Sequence, residues 1–119
     1  MRREIITLCG STRFMDAFKE VERALTFEGI IPLAPAIYGK AENVEYSEEL
    51  AKNLFELHQD RIRISDGIFV IDVDGYIGDA TKKDIELAEK ENKTIRCYSK
   101  EKDHIKELLD KLNSSFKKV

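Results

Sequence analysis

The chain has 119 residues, 42% of them hydrophobic and 36% charged, with a formal net charge of -3. That length builds one domain, spanning 1–119, with a proper core and no room for a second. The near-balance of charge lacks the basic surplus of a nucleic-acid binder, and no apolar run approaches membrane-spanning length, so neither partner is expected.

Taken in chain order, Met1-Arg2-Arg3-Glu4 runs straight into an apolar segment with no signal-peptide h-region. With two cysteines, Cys9 and Cys97, both in predicted strands, this reads as a soluble cytoplasmic protein with free thiols. The first predicted strand is Glu4–Cys9, and the run Ile5-Ile6-Thr7-Leu8-Cys9 stops at Gly10. Ser11, Thr12 and Arg13 then open a helix over Thr12–Glu28, with Phe14, Phe18, Val21 and Leu25 at helical spacing. A strand–turn–helix unit of this kind aims backbone N–H groups and the positive end of a helix dipole at one spot. Two readings follow. Either Ser11 or Thr12 caps the helix, or the hydroxyls and Arg13 hold an anion.

Beyond Gly29 a second strand runs Ile30–Ala34 and ends at Pro35, and Ala36–Tyr46 forms a loop. Tyr38 and Tyr46 in that loop can stack on a ligand or anchor the loop itself. Ser47 caps a second helix that runs to about Ser65. It is followed by a strand at Ile68–Val73, a helix at Asp79–Glu91, a strand at Thr94–Tyr98 and a helix at Lys100–Leu112. The polar tail Asn113–Val119, with Lys117-Lys118, completes the chain. His58 lies in the charged run His58-Gln59-Asp60-Arg61 and reads as part of a solvated face or a dimer rim. With His58 and His104 as the histidines and no Cys/His cluster in the sequence, no metal site is expected.

Strict strand–helix alternation with near-continuous apolar strands means a parallel sheet covered on both faces. Right-handed crossovers favour a flavodoxin-like three-layer α/β sandwich of four or five strands in the order 2-1-3-4. The first and fourth helices fall on one face and the second and third on the other. Cys9 and Cys97 then sit two strand spacings apart, about 9–10 Å, beyond disulfide reach. A ligand belongs in the crevice at the carboxyl ends of strands 1 and 3, between the loops Gly10–Arg13 and Asp72–Asp79.

Two carboxylates draw attention there. At about 100° per residue, Asp84 falls in the middle of the apolar arc of the third helix, beside Ala80, Thr81 and Ala88. Either it bonds free N–H groups at the helix N-terminus, or it serves a ligand. Asp72 ends the run Ile68-Phe69-Val70-Ile71 and faces the switch point, whereas Asp74 reads as an Asx-type turn into Gly75.

Taken together, Cys9-Gly10-Ser11-Thr12-Arg13, Ser65-Asp66-Gly67-Ile68-Phe69-Val70-Ile71-Asp72 and Gly78-Asp79-Ala80-Thr81-Lys82-Lys83-Asp84-Ile85 resemble the nucleoside 2-deoxyribosyltransferase superfamily, which includes the 2'-deoxynucleoside 5'-monophosphate N-glycosidases. The resemblance implies an oligomeric enzyme without metal or organic cofactor. It would act on a small-molecule deoxynucleoside or deoxynucleotide and cleave or transfer its N-glycosidic bond through a covalent intermediate on a carboxylate. It places Gly10, Ser11 and Arg13 on the sugar or its 5'-phosphate; Thr12 between them, Tyr76 in the loop after the third strand and Thr81 on the third helix are further candidate substrate contacts by their placement. It makes Asp72 the proton donor to the base and puts Asp84 in the nucleophile's place. The family's pattern has glutamate there, so this carboxylate is one methylene shorter. A non-catalytic nucleotide-binding module of the same fold is the alternative.

Overall fold

The computed structural model describes residues 2–117. Four strands, β1 (Ile5–Cys9), β2 (Ile31–Leu33), β3 (Gly67–Val70) and β4 (Thr94–Cys97), form one all-parallel sheet in the order β2-β1-β3-β4. The expected strand order therefore holds, with four strands. Pro32 is accommodated because β2 is an edge strand, where a missing N–H costs no ladder bond on the open side. The helices are α1 (Met15–Phe27), α2 (Gly39–Glu42), α3 (Glu48–Ile64), α4 (Asp79–Lys90) and α5 (Tyr98–Ser114). Four of them are the predicted ones. The short α2 forms inside the expected second loop, and its first residue Gly39 lies under the Tyr46 ring. Met1 and residues 118–119 of the polar tail lie outside the described residues.

The alternation of side chains along each strand sorts the core into two layers. Ile6, Leu8, Phe69 and Ile71 pack with Phe18, Val21 and Leu25 of α1 and with Ile105 and Leu108 of α5. On the opposite face Cys9, Ile68 and Val70 meet Ile62 of α3 and Ala88 of α4. The helix pairing across the sheet is thus the expected one. Cys9 and Cys97 both take Val70 as their strand neighbour, one from each side, and both are free thiols.

Local chemistry sets the element ends. Ser47 Oγ accepts the N–H of Leu50 at 3.1 Å, a side-chain N-cap that starts α3. Thr7 Oγ1 and Ser65 Oγ share a hydrogen bond at 2.6 Å, and both lie within hydrogen-bond distance of the Arg61 carbonyl, which pins the end of α3 beneath β1. At the amino edge of the sheet Asp66 accepts both guanidinium arms of Arg2 and the N–H of Ile5. Of α3's residues Ile62 is the buried one. The turns of α3 before it, Leu54 to Arg61, line the site described next. Among the described residues no helix is long and apolar enough to cross a membrane.

Candidate active site

A cavity of about 310 Å³ opens where the ends of β1 and β2 meet the facing sides of α3 and α4. That volume is in the range of small-molecule sites, about 300–1,000 Å³. Its walls are largely apolar: Phe18 from α1, Ile37 and Tyr46 from the segment after β2, and Leu54, Phe55 and Leu57 from α3. Polar groups converge on it from a few positions, namely Thr12, His58, Arg61, Thr81 and Asp84.

Asp84 is buried, at 6% exposure, with Thr81 one turn before it and Ala88 one turn after it on the same covered face of α4. The helical periodicity that predicts an inward carboxylate is met. Its partner is not the free N–H end of the helix but a side chain: His58 Nε2 lies 3.0 Å from Asp84 Oδ2. A buried carboxylate needs such a partner, because an unpaired charge out of water is costly. Cys9, fully buried at the end of β1, completes the group. Its Sγ and the ligating atoms of His58 and Asp84 all lie within 4.8 Å of one another. Burial pushes the Cys9 thiol well above its ordinary value, and the nearby Asp84 charge and hydrogen bond push it further.

The expected crevice residues divide. Gly10, Thr12 and Thr81 line the same cavity as Asp84. A side chain at Gly10 would have its Cβ 3.0 Å from both the Ile71 Cβ and the Ile71 carbonyl oxygen, so the close approach of this loop to β3 requires glycine. Neither Ser11 nor Thr12 caps α1 through its side chain. Thr12 Oγ1 instead accepts the N–H of Lys40 at 3.2 Å, which ties α2 to the loop. Ser11 Oγ is buried and has no hydrogen-bond partner among the described residues, an unusual condition for a hydroxyl.

Asp72, Arg13 and Tyr76 are drawn elsewhere. The expectation that Asp72 faces the same crevice as Asp84 is corrected: it does not line the cavity. Its Oδ1 accepts the N–H of Ser99 at 2.8 Å and its Oδ2 accepts the Ser99 hydroxyl at 2.6 Å. β4 passes directly into α5 without a capping side chain of its own, and Asp72 supplies the missing acceptor at that positive helix end. The segment after β3 is thereby held toward α5. Arg13 is exposed, with its guanidinium 4.0 Å from the Tyr76 ring centre and 4.9 Å from that of Phe14. The loop Asp72–Asp79 thus packs against the first loop outside the cavity instead of forming its wall.

His58 is the residue the sequence reading misplaced. It points into the site with its side chain 23% exposed, instead of lying on a solvated face. The absence of a Cys/His cluster in the sequence is likewise corrected by the fold, which brings Cys9 and His58 together across the chain. A signal was present: His58 stands four residues after Leu54 and four before Ile62, both on the inward stripe of α3. Of the two loop tyrosines, Tyr38 is the anchor, buried with its ring 5.5 Å from that of Phe18, and Tyr46 is at the cavity wall.

A scan against protein-family models returned no match, and a search among curated proteins returned none either. Chemically, the site offers a carboxylate held by an imidazole against an apolar cavity. Such a pair can act as nucleophile and proton donor, or as a general base.

Proposed function

We propose that this protein cleaves the N-glycosidic bond of a 2'-deoxynucleoside or its 5'-monophosphate, with Asp84 as nucleophile. The observation that carries the reading is Asp84 itself: a buried carboxylate, bonded to His58 at 3.0 Å, on the wall of an apolar cavity with room for a small molecule. The resemblance of three segments to the nucleoside 2-deoxyribosyltransferase superfamily supports it, since two of those segments bring Gly10, Thr12, Thr81 and Asp84 to one cavity.

In this reading the C1'–N bond lengthens while a carboxylate oxygen of Asp84 bonds to C1', and protonated His58 gives its Nε2 proton to the departing base. Water then attacks C1', loses a proton to the now neutral His58 and releases the sugar with Asp84 ionised again. Two easier steps replace one hard one. His58 takes the proton-donor role that the resemblance gives to Asp72, because both Asp72 oxygens are engaged by Ser99. The apolar walls provide a face for the base, and Thr12 and Thr81 bring polar groups to the same cavity for the sugar.

Leu50, Phe55, Leu57 and Ile64 leave α3 with exposed apolar side chains, 39%, 43%, 50% and 63% exposed respectively. We therefore also propose a homo-oligomer formed through this helix, which would close the cavity from the outside.

A nucleotide-binding module without catalysis is the second reading. It is favoured by the length of Asp84, one methylene short of the glutamate in the resembling pattern, since a misplacement of about 1 Å can cost roughly 10²-fold in rate. Incubation with a panel of deoxynucleosides and their monophosphates, followed by chromatography for free base, separates the two. Base release supports the glycosidase. No release from any of them, by wild type or by Asp84→Glu, leaves the binding module.

A further inference from the structure

Three chemically unlike side chains from three elements converge beside the cavity. Cys9 comes from the end of β1, His58 from the middle of α3 and Asp84 from α4, with one ligand-type atom of each within 4.8 Å of the other two. His58 and Asp84 open onto the cavity, and the buried thiol lies behind them. An ion pair explains His58 and Asp84, and core packing explains a buried cysteine. Neither explains why the thiol stands against the pair.

We infer that Cys9, His58 and Asp84 form a binding site for a divalent cation of the zinc class, with its fourth position open to the cavity. One sulfur, one imidazole nitrogen and one carboxylate oxygen make a borderline-soft set, suited to zinc and unsuited to magnesium or calcium, which take oxygen ligands. Three protein ligands with an open fourth position is a recurrent zinc arrangement. Tetrahedral zinc, with bonds of about 2.0–2.3 Å, sets its donors roughly 3.3–3.6 Å apart. His58 and Asp84 stand at 3.0 Å, and the widest separation within the group is below 4.8 Å. Closing that span to ligating distance takes roughly 1.2 Å at most, within reach of a side-chain rotation. Binding transfers the thiol proton to solvent as the sulfur–metal bond forms. One thiolate and one carboxylate then neutralise the two positive charges, so the buried centre carries no net charge.

A cation on Asp84 occupies the oxygen that would attack a sugar, so metal and deoxyribose exclude one another. The inference nevertheless stands apart from the glycosidase reading, because it concerns the protein without nucleotide.

The test is a titration of the chelator-treated full chain with Co²⁺ and then Zn²⁺, in nucleotide-free buffer, followed by absorption spectroscopy. The expected result is a saturable tetrahedral cobalt spectrum with a thiolate-to-cobalt charge-transfer band, displaced by Zn²⁺ and unaffected by Mg²⁺. Cys9→Ser removes the charge-transfer band, and Cys97→Ser keeps it. Absence of the band in wild type, its persistence in Cys9→Ser or its loss in Cys97→Ser overturns the inference. Should Cys9→Ser fail to fold, His58→Gln decides. A loss of zinc affinity of at least about 10-fold, the low end for disturbing even outer-shell partners, supports the site, and unchanged affinity overturns it. Zinc binding without base release removes the glycosidase reading alone, and base release without zinc binding removes this inference alone.

Discussion

His58 Nε2 stands 3.0 Å from Asp84 Oδ2 although 26 residues separate the two in the chain. The pair joins α3 to α4 across the cavity, so each residue fixes the other's orientation. If Asp84 is the nucleophile, Asp84→Ala abolishes base release and leaves nucleotide affinity nearly intact, because its contribution falls in the transition state. Asp84→Glu raises the rate by extending the reach of the carboxylate. His58→Ala lowers it by about 10²–10⁴-fold, the usual worth of a positioned proton donor. Rates measured by chromatography alongside calorimetric affinities decide, and a His58→Ala enzyme as fast as wild type rules out the imidazole as acid.

Arg13 lies outside the cavity, stacked on Tyr76, but it follows Thr12, which lines it. If the loop reads a 5'-phosphate, Arg13→Ala weakens binding of the monophosphate by about 1.5–3 kcal/mol, the value of a hydrogen bond to a charged group, and hardly changes binding of the nucleoside. Equal losses for both ligands in calorimetric titration show that the loop does not read phosphate.

The exposed apolar residues of α3 carry the expectation of self-association. Leu57 is half exposed, and Phe55 nearly so. Light scattering at micromolar concentration should give a dimer mass or larger for wild type, and Leu57→Glu should shift it toward the monomer by placing a charge in the contact. A monomer mass for wild type excludes this assembly.

At the other end of the sheet, the Arg2 guanidinium and the Ile5 N–H hold the Asp66 carboxyl down to about 2, against an ordinary value of 3.8. A folded-state value below the unfolded one means that the folded chain binds fewer protons. The stabilisation is complete above about pH 4 and is lost as pH falls toward 2. Arg2 and Asp66 are exposed, so added salt screens part of the effect. Thermal unfolding followed by circular dichroism should show a falling midpoint across that window, and Asp66→Asn should flatten the fall. An identical acid profile in the variant refutes the assignment.

The apolar strands, their alternation with amphipathic helices and the handedness of crossovers determined the strand order and the layer to which each helix belongs. Those features are local, or follow from rules that hold for any such alternation. Asp84's inward position was legible for the same reason, because a helix's own periodicity decides which side chains share its covered face. Boundaries shifted by one to three residues, as at β3, which ends at Val70 instead of Val73, and at Tyr98, where α5 begins directly after β4.

Tertiary structure alone decided which polar groups meet. Asp72 is buried two residues beyond the end of β3, and Ser99 in the first turn of α5, a helix with no side-chain cap of its own, takes both its oxygens. Cys9, His58 and Asp84 each carry an ordinary local signal, a buried strand cysteine, a histidine in a charged run and an acid on an apolar arc. Their meeting depends on how far α3 stands from the sheet and on the crossing of α3 with α4. Those distances come from the packing of side chains distant in sequence, and no periodicity within one segment encodes them.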